Sequence, residues 1–300
     1  RLDHKITKLE VCADLTPGVE DLTTRCWSGD HGLTVEEYAP YGLIAAVTPV
    51  THAIPTMINN AISILAGGNT VVFNPHPSSK KCFAWALNIF NSAIARATGH
   101  ENLMTCIDNP TIETGKEMFN HPRVRLILVT GGGAVVREAL KSQKKAITAG
   151  PGNPPVVVDE TAVLPKAARD IVLGAGFDNN ILCIGEKEVF VVASVADRLM
   201  EEFRKQGCVE LTPPQIDALA RKAFQTDGDV TNARSCGGAT LNRAMVGQSP
   251  HFLARQIGLD VPVDCPLLIG ETGFDHMWVQ TEQMMPFLPI VRCRDVDEAI

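Results

Sequence analysis

From about residue 40 onward, short runs rich in Val, Ile, Leu and Thr alternate with amphipathic stretches, and this alternation restricts the chain to few folds. Residues 41–47 (Y-G-L-I-A-A-V) read as a strand ending at Thr48-Pro49, and 55–66 as a helix. After the turn Gly67-Gly68-Asn69, residues 70–73 read as a buried strand, and 78–97 as a long helix with Ser78 or Ser79 as N-cap. Strands at 103–107, 124–129 and around 146–148 enclose helices at 111–120 and 134–142. Parallel strands need a crossover connection, so this order predicts an α/β fold with parallel sheets covered by helices.

The segment Gly150-Pro151-Gly152-Asn153-Pro154-Pro155 is a Gly/Pro hinge, and a second α/β unit begins beyond it at 156–159. Its helix at 165–177 opens with Pro165 near the first helical position. A strand at 188–195, helices at about 196–206 and 213–224, and late strands at 267–270 and 287–292 complete it. Two domains are therefore expected, 1–154 and 155–300, in keeping with a chain of 300 residues. Residues 227–250 are rich in Gly, Asn, Ser and Thr and carry little regular signal.

Charge and composition exclude several classes. A net charge of −7 with no basic stripe argues against a nucleic-acid partner. No apolar run reaches the roughly 20 residues that span a bilayer, and no signal peptide is visible. Nine cysteines, none in a C-x-x-C pair, argue against a structural zinc site and for free thiols in a reducing cytoplasm. The histidines form no H-E-x-x-H pattern, and no metal site is expected. The chain begins with Arg1 and ends in what reads as the first turn of a helix, so it reads as a piece of a longer protein.

One cysteine stands apart. Cys183 lies in F-D-N-N-I-L-C-I-G-E-K-E-V-F-V-V (177–192), after two adjacent asparagines and before a β-branched run. A nucleophilic thiolate needs a site that lowers its pKa and donors for the oxyanion formed on a carbonyl. Asn179, Asn180 and the Cys183 backbone are the candidate donors. Elsewhere, Thr130-Gly131-Gly132-Gly133 sits between a strong strand and a helix, where backbone N–H groups and the helix dipole face an anion. Its spacing is one glycine short of the dinucleotide fingerprint. Asn74-Pro75-His76-Pro77 is a second polar turn at a strand end. In a parallel sheet both turns share one rim, and together they suggest a nucleotide cleft.

These segments resemble a known family. T-P-V-T-H (48–52), I-N-N-A-I-S-I-L-A-G-G-N (58–69), N-P-H-P (74–77), V-T-G-G (129–132), A-G-P-G-N-P-P-V-V-V-D (149–159) and F-D-N-N-I-L-C (177–183) occur in this order. They resemble the CoA-acylating branch of the aldehyde dehydrogenase superfamily, nearest to the propionaldehyde and acetaldehyde dehydrogenases of bacterial microcompartments. The resemblance implies a nicotinamide domain, a catalytic cysteine domain, and part of an oligomerisation hairpin near 32–42. It implies NAD and coenzyme A as cofactor and co-substrate, a short-chain aldehyde as substrate, and a homo-oligomer, dimer or tetramer. It places such a chain in the cytoplasm or inside a microcompartment, in association with its shell.

Residue by residue, the resemblance makes Cys183 the nucleophile that carries a thioester, with Asn180 and His52 as further catalytic residues. It implies cofactor contacts at Thr48, Pro49, Asn74, His76, Pro77, Thr130, Gly131, Gly132, Ala149, Gly150 and Glu282. Hydrolytic relatives carry a Glu that activates the deacylating water. That position falls on Thr148, and the segment 148–154 holds no carboxylate, so a thioester on Cys183 would await a thiol. One departure is His52, followed by Ala53, where the family commonly has Asn followed by Pro; imidazole can also donate a hydrogen bond. The alternative is a cysteine acyltransferase or hydrolase without redox chemistry, which would need a His base near Cys183. No histidine lies between His121 and His251.

Overall fold

Each β-branched run becomes one strand of a parallel sheet, and the amphipathic stretches between them become the crossovers. The computed structural model describes residues 2–225, 229–233 and 240–300. The chain divides into two compact units, Leu2–Pro151 and Gly152–Ile300.

The N-terminal unit opens with a helix that the sequence pattern did not announce, α1 (Leu2–Leu15), followed by an antiparallel hairpin, β1 (Arg25–Gly29) and β2 (Gly32–Glu36). The hairpin spans 25–36 rather than 32–42. Its turn is Asp30-His31 between two glycines, so the first strand lies before the expected segment, and residues 37–42 form a connector. The sheet follows: β3 (Leu43–Thr48), α2 (Ala53–Ala66), β4 (Thr70–Pro75), α3 (Lys80–Thr98), β5 (Met104–Cys106), α4 (Ile112–Asn120), β6 (Val124–Thr130), α5 (Gly133–Lys141) and β7 (Lys145–Ala149). The strand order is β5-β4-β3-β6-β7, all parallel.

Alternation along β3 divides the core. Ile44 and Ala46 join Met57, Ile64, Phe83 and Leu87 of α2 and α3 on one face. Ala45 and Val47 join Met118, Phe119 and Ala139 of α4 and α5 on the other. A central strand buried on both faces must be apolar throughout, which is why L-I-A-A-V carries no polar residue before Thr48.

The C-terminal unit contains β8 (Pro155–Val158), α6 (Leu164–Gly176), β9 (Glu188–Val192), α7 (Ala193–Lys205), β10 (Val209–Glu210) and α8 (Pro213–Ala223). After a short antiparallel pair, β11 (Phe224–Gln225) and β12 (Thr240–Leu241), come α9 (Pro250–Arg255), β13 (Leu268–Thr272), α10 (Met277–Gln280), β14 (Phe287–Cys293) and α11 (Val296–Ala299). The sheet order is β10-β13-β14-β9-β8, again parallel throughout. Both units are thus α/β, as the alternation requires. Residues 227–228 and 234–239 of the Gly-rich stretch lie outside the described residues.

The two units meet at Pro151/Gly152, slightly before the limit of 154 expected from the hinge. Residues 152–154 belong with the second unit because Asn153 Nδ2 donates to Glu188 and to the Val279 carbonyl, and the Pro154 carbonyl accepts from Lys187 N. The second core is built on Val189, Val191, Leu288 and Ile290 against α6 and α7, and on Trp278 against Phe224 and Phe287. Among the described residues, no helix is long and apolar enough to cross a membrane.

Leu288 lies fully buried in β14, the middle strand of this sheet. Leu288→Ala is expected to cost about 2–5 kcal/mol by leaving a cavity, seen as a lower denaturant midpoint for the C-terminal unit.

Candidate active site

In the N-terminal unit the strand register sets a single rim. Thr48 pairs with Pro75, Val47 with Val129, and Thr130 with Ala149. The ends of β3, β4, β6 and β7 therefore bring Thr48, Pro49, Asn74, His76, Pro77, Thr130, Gly131, Gly132, Ala149 and Gly150 to the carboxyl edge of one sheet. Between β3 and β6 the chain order reverses, and open α/β sheets bind ligands at such a switch point. Thr48 is buried there with its Oγ1 lacking a hydrogen-bond partner. Gly132 is the N-cap of α5 and has open space where a side chain would stand, so a ligand can approach the backbone closely.

Two rim residues have structural work. Asn74 is buried; its Nδ2 donates to the Thr111 carbonyl and its Oδ1 accepts from Thr114, which braces β4 against the capping box of α4. His76 Nδ1 accepts from Ser78 N and so caps the short turn Pro77–Ser79. His52 stands at the N-cap position of α2, half-buried, and Thr148 pairs with Val129 inside β7.

In the C-terminal unit the site lies at the opposite kind of edge, where strands begin. Gly152–Pro154 lead into β8, Glu186 and Lys187 into β9, and Glu282–Pro286 into β14. Before β9 the chain makes a left-handed turn: Asp178, Asn179 and Asn180 have φ of 51°, 57° and 54°. Asp and Asn are the non-glycine residues that best tolerate this region, yet each such residue costs on the order of 1–2 kcal/mol. That accounts for the D-N-N run, and strain held at one place is often tied to function.

The turn is held from several sides. Asn180, itself buried, donates from Nδ2 to the Glu186 carbonyl (2.9 Å). Lys187 Nζ, fully buried, donates to the Asn180 carbonyl (2.7 Å) and to Asn180 Oδ1 (2.6 Å). Asn179 Nδ2 donates to the Gly247 carbonyl (2.9 Å). The two asparagine amides, expected as oxyanion donors, each use one N–H in shaping the loop, which leaves a second N–H on each side chain. Cys183 is half-buried on that loop, and its own backbone amide faces the sulfur. Gly152 packs so closely on it that a β-carbon there would collide with the Cys183 carbonyl oxygen.

Burial dominates the electrostatics of this cluster and leaves the Cys183 thiol above its ordinary value. Burial pushes the Cys183 thiol up, and the Glu282 charge adds to this; its own amide and Lys187 pull it down. Burial brings Lys187 down to about 8 against the pull of Glu282, Cys183, Glu188 and Glu186. Burial raises Glu282, opposed by Lys187 and the Gly152 amide, and its Oε1 has no hydrogen-bond partner. Glu188 is pushed up to about 8 by burial, opposed by Lys187, with Asn153 Nδ2 donating to its Oε1. The sequence reading missed Lys187, Glu188 and Gln283. Gln283, fully buried, donates to the carbonyls of Lys187 and Phe287. The signal available was G-E-K-E-V at a strand start, three charges ahead of a buried run.

Two outcomes are expected. Gly152→Ala should displace the Cys183 loop and lower the rate of Cys183 alkylation by iodoacetamide at least tenfold, with the fold retained by circular dichroism. Glu188 keeps its proton to about pH 8 when folded and to about 4.5 when unfolded. Its stabilising contribution is complete below about 4.5 and is lost as pH rises to about 8. Urea midpoints measured across that window should fall less steeply with pH in Glu188→Gln.

The chain matches the aldehyde dehydrogenase family over residues 2–210. It is 48% identical over 301 residues to the acetaldehyde dehydrogenase (acetylating) of Salmonella typhimurium, covering 100% of this chain and 63% of that protein. It superimposes with a TM-score of 0.90 and 43% identity on the propionaldehyde dehydrogenase from the Clostridium phytofermentans fucose utilisation bacterial microcompartment, over 100% of this chain and 66% of the other. Rhodopseudomonas palustris propionaldehyde dehydrogenase, with bound CoA and an acylated cysteine, gives a TM-score of 0.91 and 42% identity, over 99% of this chain and 65% of that one. The chain thus spans somewhat less than two thirds of the length of these relatives. With its two parallel α/β units and its cysteine turn, it belongs to the aldehyde dehydrogenase family.

Proposed function

We propose that this chain oxidises a short aliphatic aldehyde, propanal or acetaldehyde, to its acyl-CoA, with NAD⁺ as hydride acceptor. The observation that carries this reading is Cys183 itself: a half-buried thiol on a braced left-handed turn, with no carboxylate in the segment 148–154. Likeness to a propionaldehyde dehydrogenase with bound CoA and an acylated cysteine supports it.

In this mechanism the Cys183 thiolate attacks the aldehyde carbon; a C–S bond forms and the carbonyl electrons move to oxygen. The Cys183 amide, which faces its own sulfur, is the nearest candidate donor to that oxyanion. Nicotinamide, when bound, supplies the acceptor for the hydride leaving this carbon. A thioester then remains on Cys183. The CoA thiolate attacks the thioester carbonyl, the bond to Cys183 breaks, and acyl-CoA leaves. Thr148, which has no ionisable group, cannot activate water against this thioester.

The residues present fit a dinucleotide. Thr48, with its unpartnered buried hydroxyl, and the open backbone at Gly132 suit phosphate and ribose at the switch point of the first sheet. Pro49, Asn74, His76, Pro77, Thr130, Gly131, Ala149 and Gly150 shape that rim, and the unpartnered Oε1 of Glu282 suits a ribose hydroxyl. His52 remains a candidate donor to the substrate oxygen. The exposed hairpin, with Trp27, Leu33 and Val35 on its surface, supports a homo-oligomer, dimer or tetramer. Likeness to a microcompartment enzyme supports a place in the cytoplasm or within such a shell.

Absorbance of reduced nicotinamide with propanal and NAD⁺ tests the reading. Reduction is expected to depend on CoA and to vanish in Cys183→Ala. Reduction without CoA would instead indicate hydrolysis of the thioester and remove the Thr148 argument.

A further inference from the structure

We propose that Lys187 is the positioning residue of the Cys183 turn: its buried ammonium ties Asn180 into the left-handed conformation and is the positive charge against which the thiolate forms. This rests on Cys183 as the nucleophile.

A lysine with no exposed surface is costly, because burying an ammonium without partners loses several kcal/mol of hydration. Here both hydrogen bonds of Nζ go to one residue, the carbonyl and Oδ1 of Asn180. Asn180 returns a bond to the carbonyl of Glu186. These ties close the loop 180–187 at both ends, and Cys183 lies near its middle. The backbone of Lys187 is fixed in turn: its N–H donates to Pro154 and its carbonyl accepts from Gln283. The backbone from which the ammonium extends is therefore anchored to the segments that lead into β8 and β14.

The charged groups acting on Lys187 are Glu282, Cys183, Glu188 and Glu186. Burial pushes the Glu188 carboxyl up to about 8, which favours its neutral form beside the ammonium. Asn180 is neutral. Lys187 is also the cation acting on Cys183 among the described residues. The positive charge thus stands between the thiolate and the carboxylates, Glu282 foremost, and removing it leaves the Glu282 charge on the sulfur opposed by no cation among the described residues.

The test is the rate of Cys183 alkylation by iodoacetamide against pH, read by mass spectrometry at that peptide, with circular dichroism as the fold control. In Lys187→Met the midpoint is expected to move up by at least one unit, about a tenfold lower rate at pH 7. Lys187→Arg is expected to recover the midpoint, because it restores the charge. A folded Lys187→Met with an unchanged profile overturns the proposal. If that variant does not fold, Asn180→Ala keeps the ammonium and its bond to the residue 180 carbonyl but removes the side-chain ties, Oδ1 to Lys187 and Nδ2 to Glu186. Slower alkylation by about fivefold or more is then expected, and an unchanged profile overturns the proposal. Alkylation needs neither aldehyde nor NAD⁺. A failed CoA-dependent assay would therefore count against the proposed reaction, and an unmoved profile against Lys187.

Discussion

The segment that carries Cys183 depends on a left-handed turn that is unstable by itself. Three successive residues at positive φ forgo on the order of several kcal/mol relative to ordinary backbone. The cost is offset by hydrogen bonds that close the loop on itself through Lys187 and Asn180, and the backbone of Lys187 is fixed in turn by the segments that lead into β8 and β14. Cys183 is in place only because the sheet beneath it is complete. The thiol inherits its accessibility from the turn and its electrostatics from a lysine and carboxylates that the same sheet buries.

The two parallel sheets use their edges differently. In the N-terminal unit, the chemistry-bearing turns follow strands β3, β4 and β6 and gather at the carboxyl rim, where reversal of strand order opens a crevice. In the C-terminal unit, Gly152, Cys183, Lys187 and Glu282 all precede the strands they serve. Helix-to-strand connections are ordinarily the quiet edge of such a sheet. Here they carry Cys183, the proposed nucleophile, with the buried Lys187 and Glu188 and the half-buried Glu282 at the same edge.

Much of the fold was legible because parallel strands covered on both faces are largely apolar, and V-R-L-I-L-V or E-V-F-V-V admit few other readings. What escaped was local or small. The two-residue strand β10 has no periodicity to detect, and α1 exposes Leu2, Val11 and Leu15, so its pattern did not point to a core. Cys183 was visible through its asparagines, but their role was not. Whether an amide donates to a substrate or to its own loop depends on backbone angles, and composition is silent on these. Lys187 was overlooked because lysine is rarely buried; G-E-K-E reads as a solvated turn until three strands close over it.

The order of strands in the second sheet has a consequence in time. β14 lies between β13 and β9 but is the last strand in the sequence, and its lead-in supplies Glu282 and Gln283. About 110 residues separate Cys183 from the end of β14. At a synthesis rate of roughly 5–20 residues per second, the thiol emerges about 5–20 s before the sheet that buries its lysine can close. During that interval Cys183 has neither Glu282 beside it nor the Gln283 bond that fixes Lys187, so the surroundings that set its electrostatics are completed only when β14 is in place.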